Sequence, residues 1–229
     1  MKTIGLIGGM SWESTLSYYQ IINETIKKEL GGLHSAKLLL YSVDFAQIEQ
    51  NQATGNWDKS TELLTDVAKR IEKAGADFII ICTNTMHKVA PQIQEELKVP
   101  ILHIAQATAE VLLENKIQSV GLLGTKYTMT QDFYKEKLIA SGLSVSIPEQ
   151  SDIDEINRII YEELCLGDIK SQSKETFLEI IAKLKEKGVQ AVILGCTEIG
   201  LLVNQTDTTL PLFDTTRIHA ESAALLSLQ

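Results

Sequence analysis

A thiol at Cys196 and a hydroxyl at Thr83 occupy the same place in two copies of one segment, and both groups can move a proton. Gly75-Ala-Asp-Phe-Ile-Ile-Ile-Cys-Thr83 matches Gly188-Val-Gln-Ala-Val-Ile-Leu-Gly-Cys196: a glycine, an apolar run and, eight residues after the glycine, a short polar side chain. A cysteine between a buried strand and a helix start lies near free backbone N–H groups. These stabilise a thiolate and are expected to lower the Cys196 pKa from about 8.5 towards neutrality, which suits a general base or a nucleophile. Glu198, two residues on, is placed to orient the thiol or assist its deprotonation. Thr83-Asn84-Thr85 offers three short polar side chains that can cap a helix and leave N–H groups for a substrate carboxylate. Two such residues facing each other across a pseudo-twofold cleft could serve both faces of one substrate carbon, here with only one thiol.

The remaining candidates read as structural. Cys82 adjoins Thr83, but side chains alternate along a strand, so its thiol is expected to point away from the face Thr83 serves. Cys165 is expected to end a helix capped by Gly167 and to pack. His87 is expected to be a solvated helix histidine. His34, His103 and His219 show no metal-ligand spacing among themselves or with the cysteines, so no metal is expected. Gly5-Leu-Ile-Gly8-Gly9-Met10 lacks both the G-x-G-x-x-G order and a Gly-Lys-Ser/Thr ending, which argues against a nucleotide loop; its glycines let a first turn approach a ligand closely. The polar, poorly periodic stretch 44–57 suits a flap.

These residues need elements to hold them, and a tandem duplication supplies them. Gly5-Leu-Ile-Gly8 recurs as Gly121-Leu-Leu-Gly124, offset by 116 residues; the Thr83 and Cys196 segments are offset by 113, and Val99-Pro100 recurs as Leu210-Pro211 at 111. Preserved order with slowly drifting offsets indicates one α/β unit written twice. Short runs of Ile, Leu and Val alternate with helical patterns, as in a parallel sheet covered on both faces. Strands are predicted at 3–7, 37–43, 77–82 and 101–104, with helices at 15–30, 60–73 and 91–97. In the second copy a strand starts at Ser119, and helices follow at 131–140, 154–165 and 173–187. The expected fold class is α/β, with two similar doubly wound parallel-sheet domains, 1–104 and 105–215, related by pseudo-twofold symmetry. A last helix at 216–228 is free to pack back on the first domain. Ligands of such sheets bind beyond the carboxyl ends of the strands, so the site is expected in the interdomain cleft.

Composition narrows the partners. The formal charge is −9, without a basic run or aromatic-basic interleaving, so neither nucleic acid nor an anionic membrane surface is expected as a partner. No apolar run reaches the roughly 20 residues of a membrane helix. The first residues enter a strand directly, without a charged-then-apolar leader. The chain has three cysteines, an odd number without paired spacing, which suits a reducing cytoplasm.

Nearly the whole length resembles the aspartate/glutamate racemases of the cofactor-independent Asp/Glu/hydantoin racemase superfamily. The likeness runs from Ile-Gly-Leu-Ile-Gly-Gly-Met-Ser, through Cys-Thr-Asn-Thr-Met-His, to Gly-Cys-Thr-Glu near the C-terminus. It implies two α/β domains, a homodimer, no cofactor, and two cysteines on opposite faces of the substrate α-carbon, one removing the α-proton and the other returning it. Carried over, the second cysteine is Cys196, while the first falls on Thr83. Met10, Gln52, Asn84, Thr85, Thr125, Thr197 and Glu198 match substrate-binding positions. The flap arginine of many relatives is missing, since no Lys or Arg occurs between Lys37 and Lys59. A lysine found in some relatives corresponds to Cys165. The implied activity is racemisation of aspartate or glutamate without pyridoxal phosphate, faster from the L-enantiomer. Two alternatives stay open: a single-cysteine decarboxylase of malonate-type acids, and a non-catalytic binding protein for a dicarboxylate or amino acid.

Overall fold

The structure is a computed structural model describing residues 1–229. Its chain divides into two units, Met1–Ile104 with His219–Gln229, and Ala105–Ile218. The first unit runs β1 (Ile4–Gly8), α1 (Trp12–Leu30), β2 (Leu38–Ser42), α2 (Phe45–Ala53), α3 (Trp57–Lys73), β3 (Phe78–Ile81), a 3₁₀ turn (Thr85–Val89) and α4 (Ala90–Glu95). The second carries α5 (Ile104–Glu114), β4 (Ser119–Gly124), α6 (Lys126–Thr130), α7 (Asp132–Ala140), β5 (Ser144–Ser146), α8 (Gln150–Glu162), α9 (Ser171–Glu186), β6 (Ala191–Gly195), α10 (Ile199–Leu202) and β7 (Leu212–Asp214). The last helix, α11 (Thr215–Ser227), begins in the second unit and ends in the first.

Both sheets are parallel and share one strand order. The first is β2-β1-β3, extended by a single parallel bridge from Ile79 to Ile101; the second is β5-β4-β6-β7. Register repeats as well. Gly5 pairs with Ile79 and Gly121 with Val192, so the sequence offsets of 116 and 113 survive as spatial pairing. Each unit thereby delivers its third strand to the same height against its first. That sets Thr83 and Cys196 at equivalent ends of β3 and β6.

Alternation along the strands explains the layers of the first unit. Ile7, Ile79 and Ile81 pack with Leu64, Val67 and Ile71 of α3, whereas Leu6, Phe78, Ile80 and Cys82 pack with Tyr18, Ile22 and Ile26 of α1 and with Ala220, Ala223 and Ala224 of α11. The buried faces of α1 and α3 follow from apolar positions three and four apart. Helix α1 starts where the Ser11 side chain accepts from the Ser14 N–H; Glu13 in its first turn and Lys27 and Lys28 in its last match the helix dipole. In the second unit Leu123, Val192 and Leu194 pack against Ile156, Ile159 and Ile160 of α8 and Phe177, Ile180 and Leu184 of α9.

Several sequence expectations need correction. The stretch 44–57 is mostly helix: the Asp44 side chain caps α2 by accepting from Ala46 N–H, and Ile48 and Gln52 are buried one turn apart. Two turns with so few apolar side chains leave little periodicity to read. The strand expected at 101–104 is only the bridge at Ile101, because Pro100 lacks a donor and Ile104 already begins α5. The helix expected to end at Cys165 stops at Glu162, and Cys165 sits in a 3₁₀ turn before left-handed Gly167.

Glycines under the strand ends allow close approach. A Cβ on Gly124 would stand 2.7 Å from the Gly195 carbonyl oxygen, and a Cβ on Gly121 would stand 2.8 Å from Leu184 Cδ1. Backbone cannot retreat as a leucine tip can. Gly124→Ala is therefore expected to cost about 1–3 kcal/mol, lowering Tm by about 2–12 °C, and to cost more than Gly121→Ala. Thermal melts of the two variants check the order; equal losses would contradict it.

Candidate active site

In the second unit three candidate residues form one hydrogen-bonded group. The Cys196 thiol donates to Glu198 Oε2 at 3.0 Å, and the Thr197 hydroxyl donates to the same oxygen at 2.7 Å. All three are buried, with Glu198 only 2% exposed. The group is placed by β6, whose last residue, Gly195, pairs with Gly124 at the end of β4. Thr125 follows Gly124 and caps α6 by accepting from the Thr128 N–H, so it belongs to the same corner.

The Cys196 pKa departs from the sequence expectation. It lies well above the ordinary thiol value: burial raises it first, then the negative charge of Glu198, and the thiol-to-carboxylate hydrogen bond adds to this. The helix that was to stabilise a thiolate is α10, four residues long, and so short a helix has little dipole to offer. In the resting protein Cys196 is a protonated thiol whose hydrogen points at a carboxylate.

The first unit presents its candidates differently. Thr83 is half-buried, and its N–H donates to the Ile81 carbonyl at 2.8 Å, turning the chain sharply after β3. Asn84 and Thr85 are buried, and Asn84 precedes the 3₁₀ turn without a side-chain capping bond. The expected polar cap is thus not formed by Asn84. Gln52 is buried and its Nε2 donates to Met86 Sδ at 3.0 Å, which brings α2 to the Thr83–Thr85 turn. Met10 is buried in the same core cluster as Met86. Cys82 is fully buried among Phe78 and Ile80, the face that alternation assigns to it, and burial pushes its pKa up.

Other residues of these corners escaped the sequence reading. His87 is not a solvated helix residue: it is 1% exposed, with its Nδ1 2.8 Å from the Thr83 carbonyl oxygen. Its ring centroid lies 4.5 Å from that of His103 and 5.7 Å from that of His219. Thr15 closes the glycine turn after β1, its Oγ1 accepting from Gly9 N–H at 2.8 Å. In the second unit Asp214 caps α11 through Thr216 and Arg217 N–H, and burial raises its pKa. The 113-residue repeat offset, which aligns Thr83-Asn84-Thr85-Met86-His87 with Cys196-Thr197-Glu198-Ile199-Gly200, could have flagged His87, but it aligns neither Thr15 nor Asp214. Each corner thus holds different chemistry at matched places. No group of three or more His, Cys, Asp or Glu side chains is arranged to hold a metal ion.

Removing the Glu198 charge should release the thiol. Glu198→Gln is expected to lower the Cys196 pKa, since a carboxylate no longer opposes the thiolate. The pH dependence of Cys196 alkylation, followed by mass spectrometry, reads this directly. An unchanged or higher pKa would mean that Glu198 does not govern the thiol.

Comparison with known proteins places this geometry. A family model described as Asp/Glu/hydantoin racemase matches residues 7–223. A solved structure from Yersinia pestis, provisionally named an Asp/Glu racemase, is 53% identical with a TM-score of 0.93, and covers 100% of both chains. An aspartate racemase homologue from Pyrococcus horikoshii OT3 is 38% identical with a TM-score of 0.86, again over 100% of both chains. The broad specificity amino-acid racemase RacX of Bacillus subtilis is 23% identical over 96% of this chain and 95% of its own. The two parallel-sheet units, the repeated register and a match over almost the full length lead to one assignment: the chain is an isomerase that belongs to the Asp/Glu/hydantoin racemase family.

Proposed function

We propose that the chain racemises aspartate or glutamate without pyridoxal phosphate, with Cys196 and Thr83 as its two proton-handling residues. The observation that carries this is the matched register of β3 and β6, which ends one strand on Thr83 and the other on Cys196. Racemisation by two side chains needs one for each face of the α-carbon, and the repeat supplies one such position in each unit. Asn84, Thr85 and Thr125 supply short donors for the substrate carboxylate, whose negative charge grows as the α-carbon becomes carbanion-like; the Thr197 hydroxyl already donates to Glu198. The amino-acid class is supported by the names of the relatives above. The acidic side chain finds no lysine or arginine in 38–58.

The forward step starts with Cys196. Its proton passes to Glu198, leaving a thiolate and a neutral carboxylic acid; the positive ammonium group of an arriving amino acid favours this transfer when it sits closer to the sulfur than to Glu198. The thiolate then takes the α-proton of the L-acid, and Thr83, directly or through water, delivers a proton to the opposite face; the cycle closes when solvent takes the proton of Glu198 and returns one to Thr83. The reverse start is hard, because a hydroxyl is a far weaker base than a thiol. Free enantiomers must still equilibrate to unity, so kcat/KM is equal in the two directions and the asymmetry lies in kcat and in α-proton exchange without inversion.

A second copy of the chain is the partner this reading adds. Strand β2 is an uncharged edge, Leu-Leu-Leu-Tyr-Ser, with no strand on its outer side, the kind of edge that monomers normally blunt with charge or proline. Beside it α1 presents Trp12, Leu16 and Tyr19 on one face, 65%, 58% and 53% exposed. With Leu40 and Tyr41 these side chains offer on the order of 500 Å², enough to form the apolar centre of an interface of about 800 Å² per partner. A twofold axis at the edge would let each copy bury the same patch.

Two experiments follow. Thr83→Cys is expected to raise turnover of D-aspartate or D-glutamate by about 10²-fold, the low end of general-base contributions, read by α-deuterium exchange in D2O. No gain there would break the pairing of Thr83 with Cys196, and CO2 release from a malonate-type acid would favour the decarboxylase instead. Light scattering should give the mass of two chains for the wild type and of one for Leu16→Glu. A one-chain wild type, or a dimer indifferent to the substitution, would remove the proposed interface.

A further inference from the structure

We infer that His87 is a positioning residue for Thr83, holding the proton-return corner through the Thr83 peptide; this rests on the function proposed above. The carbonyl oxygen of Thr83 can only accept, so the 2.8 Å contact requires a hydrogen on His87 Nδ1. The other ring nitrogen, Nε2, accepts from the Ile104 N–H at 3.2 Å. A proton on both nitrogens would set N–H against N–H. The imidazole is therefore neutral with one fixed tautomer, bridging the turn after β3 to the first residue of α5.

The groups facing the ring agree with that state. Burial, then His103 and His219, push the His87 pKa well below the ordinary histidine value. His219 is itself committed: its Nε2 donates to the Leu102 carbonyl at 2.8 Å, so its Nδ1 accepts from the Tyr18 hydroxyl at 2.9 Å. His219 is pushed down to about 4 by burial. Two neutral rings thus hold the main chain of 102–104, and one of them also holds Thr83.

The consequence for Thr83 is specific. Its N–H is bound to Ile81 and its carbonyl to His87, so the peptide planes on both sides of its Cα are tied and the hydroxyl is left to rotate about Cα–Cβ alone. The other unit has no such device. The repeat places Gly200 at the position of His87 and Asp214 at that of His103, and a Cβ on Gly200 would already stand 2.9 Å from Asp214 Oδ2. Cys196 is steered by a side chain, Glu198, whereas Thr83 is steered through its backbone by His87.

The test is the ratio of α-deuterium exchange to inversion for the L-acid in D2O. A carbanion that Thr83 fails to reprotonate is quenched again from the Cys196 side, so exchange without inversion accumulates. Two variants each keep one bond: His87→Asn keeps a donor where Nδ1 stands, and His87→Gln keeps an acceptor where Nε2 stands. The ratio is expected to stay within about 2-fold of wild type in His87→Asn and to rise about 5- to 10-fold in His87→Gln, with the exchange rate itself little changed. A merely structural histidine would lower exchange and inversion together and leave the ratio unmoved; that result, or equal ratios in the two variants, overturns the inference. A wild type that exchanges no α-proton of either acid overturns the proposed function as well, and so the two failures are told apart.

Discussion

The structure depends on the parallel register between the first and third strand of each unit. Gly5 against Ile79 and Gly121 against Val192 are the same pairing made twice. A slip of one residue would turn every side chain of the strand to its other face and break the match in place between Cys196 and Thr83. What prevents the slip is burial on both faces: β3 and β6 are buried along their whole length, and β3 splits its side chains between two helical layers. The glycines serve the same register. Gly5 leaves room for Ile71, and Gly121 for Leu184, so a helix lies close over the first strand in both copies.

On that common frame the two copies have diverged in chemistry but not in place. At the end of β6 a thiol, a hydroxyl and a carboxylate share hydrogen bonds, and burial together with the carboxylate keeps the thiol protonated. Such a group is quiet at rest. Under the proposed mechanism the substrate itself, through its ammonium group, helps to create the base that attacks it. At the end of β3 there is no carboxylate at the matched position, which is Thr85, and a hydroxyl is positioned through its own peptide. That arrangement suits delivering a proton more than taking one.

Much of this was legible in the sequence because it is written in periodicity and repetition. The α/β class, the strand order of events and the equivalence of Thr83 and Cys196 all follow from apolar runs and offsets. The inward face of Cys82 follows from alternation. What could not be read was set by contacts distant in sequence. The thiol pKa is raised first by burial, in a core that α8, α9 and β7 complete, and then by the Glu198 carboxylate, so a helix-start argument alone gave the wrong sign. His87 looked like a surface residue because nothing near it announces that Ile104 and Thr83 will close over its ring. The segment 44–57 hid a helix because two turns show too few apolar positions to set a phase.

The central claim is that proton removal belongs to Cys196 and proceeds from the L-face. The most direct measurement is NMR of L- and D-aspartate and L- and D-glutamate incubated in D2O with the wild type and with Cys196→Ala. The account predicts α-deuterium incorporation from an L-acid at least about 10²-fold faster than from its enantiomer, and its loss in Cys196→Ala. Equal exchange from both enantiomers, or exchange that survives the loss of the thiol, would contradict it.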